Sequence, residues 1–526
     1  LAGILGWFGS EKGKGAGFSL MSLGNMLTAF FTYLRFAEIA RIFGTSWQTD
    51  AVAVAFVIPL LLQQLISTAF GSAFLPIYSR VRRNKGVEAS NLLVNRIVNW
   101  MVITGILFLG TAFLFGRGIV GIVGPGADAE TLDLAAVLLR IFLPLVFLNA
   151  VEGILQNFLI YHNRYGLVSF LKVLQILASY IFLLAGHGRF GIIIVPLSGL
   201  AGAAVSFLAC AAFSIRLELR PGTVLDPRDG DFRELVRLAV PVMVGVVTGF
   251  LGPVADKILA SFLAESSITA IDYAARIRNL VRMVMIEPLI VLCTVYFSKA
   301  AAAGGRDLLR KEIPSYMRNL SYYTIPAAAI LTVFAVPLVS VFFQRGHFGP
   351  GQSRLVGHVL SYYAPWLAQF GMGVIAGRAF YALKETITPI ALGIWGMICN
   401  ILLNVILVGS MGVGGLALAT TVTSSAKTLM LLITLRRRLG GIGGKEFVPE
   451  YLRFLLAGGI MSGFLLLAGS MFPVDLESSL WSRLSRLALI ILPGLGIYVA
   501  VTAAAGSRTF RDYYGVVRSG LSRGGS

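Results

Sequence analysis

Apolar residues in this chain gather into runs of about 20, each long enough to cross the hydrocarbon core of a bilayer as one helix. About fourteen such runs lie between charged or Gly/Pro-bearing breaks, with approximate limits 18–37, 50–75, 97–121, 134–160, 166–186, 191–215, 235–262, 270–298, 319–343, 357–382, 387–408, 413–435, 451–472 and 484–505. In lipid a segment must satisfy its own backbone polar groups, so these runs read as helices. The pattern predicts an all-α integral membrane protein of about 14 transmembrane helices without a large soluble domain.

Composition supports this picture. The 526 residues are 56% hydrophobic and 13% charged, against roughly 25% charged in a soluble domain. A net charge of +19 would suit a nucleic-acid binder, but Lys and Arg sit in short connections with no aromatic-basic platform to hold a strand. No nucleic-acid partner is expected. The cations instead follow the positive-inside rule. One set of connections carries Arg80, Arg82, Arg83 and Lys85; Arg216, Arg220, Arg228 and Arg233; Lys299, Arg306, Arg310 and Lys311; Arg436, Arg437, Arg438 and Lys445; and Arg508, Arg511, Arg518 and Arg523. The alternate set is nearly free of cations and includes Asp128, Glu130, Asp133, Glu265, the 410–414 turn, Asp475 and Glu477. The first set is expected in the cytoplasm, and an even count of runs puts both termini there. The first 15 residues lack a charged, apolar, small-residue cleavage pattern, so no removable signal peptide is read. Cys210, Cys293 and Cys399 each fall in an apolar run without CxxC spacing and read as buried free thiols.

An internal repeat shows at an offset of about 215–220 residues, a symmetry common in transporters. Gly199-Leu-Ala-Gly-Ala-Ala in the sixth run resembles Gly412-Val-Gly-Gly-Leu-Ala in the twelfth, and Phe158-Leu-Ile-Tyr161 echoes Ala379-Phe-Tyr381. Two six-helix lobes are expected, over residues 1–220 and 221–440, followed at 441–526 by two additional helices and a basic tail.

Ionisable side chains inside a membrane span are costly and normally face a partner or an aqueous cavity. Here they concentrate in a few runs: Arg35 and Glu38 in the first, Asp50 opening the second, Asp256 and Lys257 in the seventh, and Arg276, Arg278, Arg282 and Glu287 in the eighth. Arg278 and Arg282 are four apart and share a helix face, whereas Arg276 points about 160° away from Arg278. Arg35 and Glu38, three apart, either line a cavity or neutralise each other. Guanidinium forks match phosphate oxygens, so a cavity lined by these arginines suits a phosphate or pyrophosphate. Candidate binding residues are therefore Arg35, Glu38, Asp50, Arg276, Arg278 and Arg282. No GxxxxGK[ST] loop and no HExxH occurs, and the histidines at 162, 187, 347 and 358 are scattered. Nothing here predicts an enzyme.

The N-terminal residues Ala40-Arg-Ile-Phe-Gly44, Thr49-Asp50-Ala51, Val54-Ala-Phe, Pro59 and Ala73-Phe-x-Pro76 resemble the MurJ/MviN family of lipid II flippases, in the multidrug/oligosaccharidyl-lipid/polysaccharide exporter superfamily. The similarity continues in Asp256-Lys-Ile-Leu-Ala-Ser-Phe-Leu263, Tyr273-Ala-x-Arg276, Phe380-Tyr-Ala-Leu-Lys-Glu-Thr386 with Pro389, and Gly415-Leu-Ala-Leu-Ala-Thr420. It extends over about the first 440 residues, and the last two runs match in hydropathy only.

The resemblance implies alternating access around a central cavity, with export of an undecaprenyl-pyrophosphate-linked saccharide across the bacterial cytoplasmic membrane. The implied partners are that lipid and the surrounding bilayer, and the implied state is a monomer. Arg35, Asp50 and Arg276 fall on charged residues of the family, while Ala29, Phe36, Gln63, Gln64, Thr68 and Asn279 stand where its further charges would be. No cofactor is implied, except that some members hold sodium at positions matching Asp256, Asn400, Asn404 and Thr420. For that set an ion-paired Asp256 with interhelical amide bonds is the alternative. Competing functions are an exopolysaccharide-unit flippase, a multidrug or cation antiporter, and a membrane-embedded glycosyltransferase or ligase. The antiporter predicts an acidic aromatic cavity, and the transferase predicts a large extracytoplasmic loop.

Overall fold

A computed structural model of the chain describes residues 13–512 apart from 384 and 443. Residues 1–12 and the tail cations Arg518 and Arg523 lie outside it, as do the side chains of Glu287, Lys299 and Lys445. Every regular element among the described residues is helical. The helices fall into two compact units, residues 1–268 and 269–526. In the first are α1 (Gly13–Phe43), α2 (Trp47–Ala55), α3 (Val57–Val123), α4 (Ala129–Tyr161), α5 (Tyr165–Phe190), α6 (Ile194–Arg216) and α7 (Gly230–Ala260). The second takes up nearly all of α8 (Ser267–Met285), then α9 (Glu287–Val333), α10 (Ala335–Phe343), α11 (Pro350–Tyr363), α12 (Trp366–Ala382), α13 (Ile387–Met411), α14 (Val413–Leu439), α15 (Gly444–Met471) and α16 (Leu480–Ala504).

All fourteen apolar runs fall on these helices, but helix ends and apolar ends do not coincide. Eight uninterrupted stretches are long and apolar enough to cross a membrane, or nine if Arg306–Val333 and Ala335–Phe343, bent by 83°, form one span. Two of the eight, Trp47–Val123 and Tyr165–Arg216, each contain two of the runs. The runs at 270–298 and 357–382 fail the criterion for physical reasons. Run 270–298 carries Asp272, Arg276, Arg278 and Arg282 on α8, and run 357–382 is broken between α11 and α12, of 14 and 17 residues. The count of fourteen is not reached by length and apolarity. The outer surfaces of the helices are lipid-like, with Leu114 and Ile387 each 79% exposed. Surfaces of this kind are unfavourable in water.

The repeat takes a backbone form at two hairpins. Gly191, between α5 and α6, has φ 52° and ψ −139°, and Gly412, between α13 and α14, has φ 54° and ψ −135°. This left-handed region penalises any Cβ, so glycine sets both reversals. Gly86 (φ 86°) marks a third break, where α3 passes from the second run to the third.

The first unit is centred on Phe74, Tyr78, Leu93 and Phe158, all nearly solvent-free. On its charged side the segment joining α6 to α7 lies as a strap along α3. Asn91, Asn95 and Asn99 donate from Nδ2 to the carbonyls of Glu218, Arg220 and Gly222 at 2.8, 2.8 and 2.9 Å. Four helical residues advance about 6.0 Å and two extended residues about 6.6 Å, so the two repeats stay in step. Arg82–Glu218, Arg80–Glu234 (2.6 Å), Lys85–Asp231 (2.6 Å) and Arg96–Asp229 (2.8 Å) ion pairs flank the ladder. Asp229 also caps α7 by accepting from Phe232 N at 2.9 Å, which is why α7 starts there.

In the second unit α15 and α16 pack on α9 through Phe454, Met461, Leu465 and Tyr498. The Tyr498 hydroxyl donates to the Tyr322 carbonyl at 3.0 Å. Cys210 and Cys293 are buried free thiols, and Cys399 is a half-buried one.

Candidate functional site

Each unit presents its own set of intramembrane charges. In the first, Arg35 on α1 donates through Nη2 to the Val195 carbonyl at 2.8 Å and to Ser198 Oγ at 3.1 Å, both on α6. Glu38 pairs with Arg41, one turn further along α1, at 2.6 Å. The i, i+3 partner that Glu38 takes is thus on its C-terminal side. Asp50, 7% exposed on α2, accepts from Ser266 N at 2.7 Å, and Glu265 accepts from Trp47 N at 2.8 Å. Ser266 has φ 72°, so Asp50 holds a turn in the sparsely populated left-handed region. Beyond α7, Ser261 Oγ accepts from Gly126 N at 3.0 Å. Asp256 is 6% exposed, and its neighbour Lys257 donates to the Ala53 carbonyl at 3.1 Å.

The second unit holds the three α8 arginines. The guanidinium of Arg278 lies between two rings, 4.5 Å from Tyr363 and 4.7 Å from Trp366, and that of Arg282 lies 5.9 Å from Phe370. Their spacing of four puts both against the aromatic side of α11 and α12. Arg276, on another face of α8, follows one turn after Asp272, whose charge acts on it. The eighth run therefore divides its cations between an aromatic stack and a separate position.

Asn400, Asn404 and Thr420 come together on α13 and α14. Asn400 Nδ2 donates to Thr420 Oγ1 and Asn404 Nδ2 to Asn400 Oδ1, each at 3.3 Å. These amide and hydroxyl oxygens are hard donors of the type that a sodium ion takes. Asp256, the carboxylate matched to the same set, belongs to the other unit. Among the described residues no group of three or more His, Cys, Asp or Glu side chains could hold a metal.

Outside the spans, the Arg82 guanidinium bonded to Glu218 holds that carboxyl below the usual carboxylate range. Burial, helped by Arg82, pushes the His162 imidazole down. The His162 ring packs 4.6 Å from Phe158 and 5.4 Å from Tyr161, centroid to centroid.

Three intramembrane ionisable residues stand outside the sequence-derived set. Glu152, 2% exposed in α4, accepts from Ser206 Oγ at 2.6 Å and from Gln156 Nε2 at 2.8 Å. Lys172 lies on α5 near it. Lys427 on α14 runs its aliphatic stem along Gly396, where an added Cβ would come within 3.3 Å of Lys427 Cδ. The signal for all three is a lone charge inside an otherwise apolar run. Arg483, 6% exposed, and Arg486 also sit beside the 473–479 turn, where they donate to the carbonyls of Ser340 and Pro473 at 2.9 Å each.

Comparison with known proteins follows this geometry. The solved structure of a lipid II flippase MurJ in an inward closed conformation superposes with a TM-score of 0.79 at 21% identity, covering 94% of this chain and 99% of that one. A MATE-family multidrug resistance transporter of the MOP superfamily, in an inward-facing conformation, gives a TM-score of 0.63 at 14% identity over 80% of this chain and 94% of its own. These similarities show the fold. In sequence, the lipid II flippase MurJ of Burkholderia cenocepacia is 26% identical over 444 residues, 82% of this chain and 84% of its own. The probable lipid II flippase MurJ of Vibrio cholerae is 26% identical over 514 residues, 93% and 95% of the two chains. The model of the family described as lipid II flippase MurJ matches residues 39–483. A multi-pass helical membrane protein matched along that length belongs to the MurJ family of lipid II flippases, which are transporters and not enzymes.

Proposed function

We propose that this chain moves lipid II, or a closely related polyprenyl-pyrophosphate-linked saccharide, from the cytoplasmic to the outer leaflet of the bacterial cytoplasmic membrane. The observation that carries this reading is the family match over residues 39–483. Intramembrane guanidiniums at Arg35 and Arg276 support an anionic substrate, because a charged donor fork suits pyrophosphate oxygens and costs too much in lipid to be idle. The protein acts as a monomer by alternating access, with both termini in the cytoplasm. Inward-facing and outward-facing MATE transporters of like fold support that cycle, and the basic connections support that orientation.

In this reading Arg35 and Arg276 each hold the pyrophosphate. Arg278 and Arg282 order the aromatic wall, and Asp50 fixes the turn at Ser266. Sodium, held by Asn400, Asn404 and Thr420 with Asp256, is the proposed coupling ion. What supports it is the cluster of hard oxygen donors on α13 and α14.

The test is flipping of fluorescent lipid II in proteoliposomes. A charge-assisted hydrogen bond contributes about 1.5–3 kcal/mol, so Arg276→Ala or Arg35→Ala should lower flipping about tenfold or more. Arg276→Lys, which keeps the charge and loses the fork, should retain part of it. Wild-type rates in both alanine variants, at matched insertion, would refute the pyrophosphate clamp. A wild-type protein that flips no lipid-linked pyrophosphate would refute the function.

A further inference from the structure

The N-terminal unit contains a buried carboxyl that the transport reading leaves without a role. Glu152 sits on α4 among spans, 2% exposed, and both of its donors reach the same oxygen, Oε1: Ser206 Oγ at 2.6 Å from α6 and Gln156 Nε2 at 2.8 Å from its own helix. Ser206 is itself solvent-free and lies 3.1 Å from the carbonyl of Leu171 on α5. A hydroxyl has one proton to give. It can be donated to Glu152 or to Leu171, not to both.

The two choices correspond to two protonation states, and each is complete. With Glu152 ionised, Ser206 donates to Oε1 and the carboxylate accepts two bonds. When a proton is added to Glu152 Oε1, the carboxylic acid donates to Ser206 Oγ, and Ser206 turns its own proton to the Leu171 carbonyl. Gln156 donates to Oε1 in both. A buried polar group ordinarily has one arrangement that satisfies it and loses about 1–3 kcal/mol in another. Here neither state leaves a donor or acceptor unmet, so the proton can come and go without breaking the helix contacts.

A route for the proton lies alongside. Asn149, Glu152 and Gln156 are three and four residues apart and share a face of α4. Asn149 Oδ1 accepts from Gln175 Nε2 of α5 at 2.8 Å, and both Asn149 and Gln156 are half-buried rather than sealed. A Cβ built at the adjoining Gly153 would meet no atom within 4 Å, so open space borders the cluster. The other charged or titratable groups that bear on the site are Lys172 from α5 and Cys210 from α6. From α3, Tyr78 packs against Phe158 and Tyr161 further along α4, and Asp50 of α2 is bonded to Ser266 N.

We propose that Glu152 is a proton-binding site, with Ser206 as the relay that passes a hydrogen bond between α4 and the α5 backbone according to whether the proton is bound. It rests on the transport reading only in that the proton would modulate the flipping cycle. The experiment is infrared difference spectroscopy of the full chain in nanodiscs, with pH itself as the probe. Wild type should show a carboxylic-acid C=O stretch that appears and disappears over the pH range in which the protein stays folded. The band should be absent from Glu152→Gln, which keeps shape and neutrality, and displaced in pH in Ser206→Ala. A spectrum unchanged by pH, or one that is the same in Glu152→Gln, overturns the site. In proteoliposomes, wild-type flipping should vary with pH more than that of Glu152→Gln, and equal pH profiles in the two overturn the link to transport. A chain that titrates at Glu152 but flips nothing refutes the transport reading while upholding the proton site.

Discussion

The asparagine ladder along α3 allows a prediction worked from geometry. Asn91, Asn95 and Asn99 hold three alternate carbonyls of the strap at 2.8, 2.8 and 2.9 Å. Asn91 and Asn95 are buried at 6% and 9% exposure, while Glu218 and Arg220, whose carbonyls accept, are exposed and can turn to water. The loss per bond should therefore sit near the ordinary net value of about 1 kcal/mol, without a large added penalty for a stranded acceptor. One bond then corresponds to about a fivefold change in local opening, given that about 1.4 kcal/mol is tenfold. Asn95→Ala should raise amide exchange across 218–224 about fivefold. The triple alanine variant should exceed a hundredfold if the bonds act independently, and by less if the strap peels from one end. Hydrogen–deuterium exchange with mass spectrometry on the purified protein reads this directly, with peptides from α4 as the internal control. Unchanged exchange in the strap of the triple variant would refute the ladder. Equal acceleration in α4 and the strap would show global destabilisation instead.

Three further outcomes can be checked. A double-mutant cycle of Arg278→Ala with Trp366→Leu, followed by thermal unfolding, should return a coupling of about 0.5–2 kcal/mol, the worth of one cation–π face; zero coupling would mean that the 4.7 Å approach does not matter energetically. Because burial lowers the His162 pKa, the unfolded chain binds more protons than the folded one as pH falls below about 6.5. Wild type should thus lose melting temperature on acidification through that window, and His162→Phe should lose less; parallel pH profiles would contradict it. If sodium binds at Asn400, Asn404 and Thr420, sodium chloride should raise the melting temperature above choline chloride at equal ionic strength, and Asn404→Ala should abolish the difference; no difference in wild type removes sodium.

The sequence by itself determined what depends on local composition and on short spacings. Apolar runs of bilayer length required helices, because lipid supplies no partner for a backbone group. Repeated glycine-rich segments indicated two related hairpins, now visible in the matching dihedrals of Gly191 and Gly412. A spacing of four put Arg278 and Arg282 on one face, and a spacing of four likewise joined Asn400 to Asn404. Motifs along the first 440 residues were enough to indicate the family.

What only the tertiary structure decided are the partners. Spacing allowed Glu38 either neighbour on its helix, and side-chain packing gave it Arg41. Asp50 read as a cavity charge, but its carboxylate holds Ser266 N, more than 200 residues away in sequence. The count of fourteen spans came from hydropathy, which is blind to the charges and breaks that interrupt α8 and α11–α12. The asparagine ladder and the Glu152–Ser206–Leu171 relay are built from residues far apart along the chain. A hydrogen bond depends on distances and angles at the ångström scale. Sequence periodicity sets the face on which a side chain lies, and only the packed helices set what it meets there.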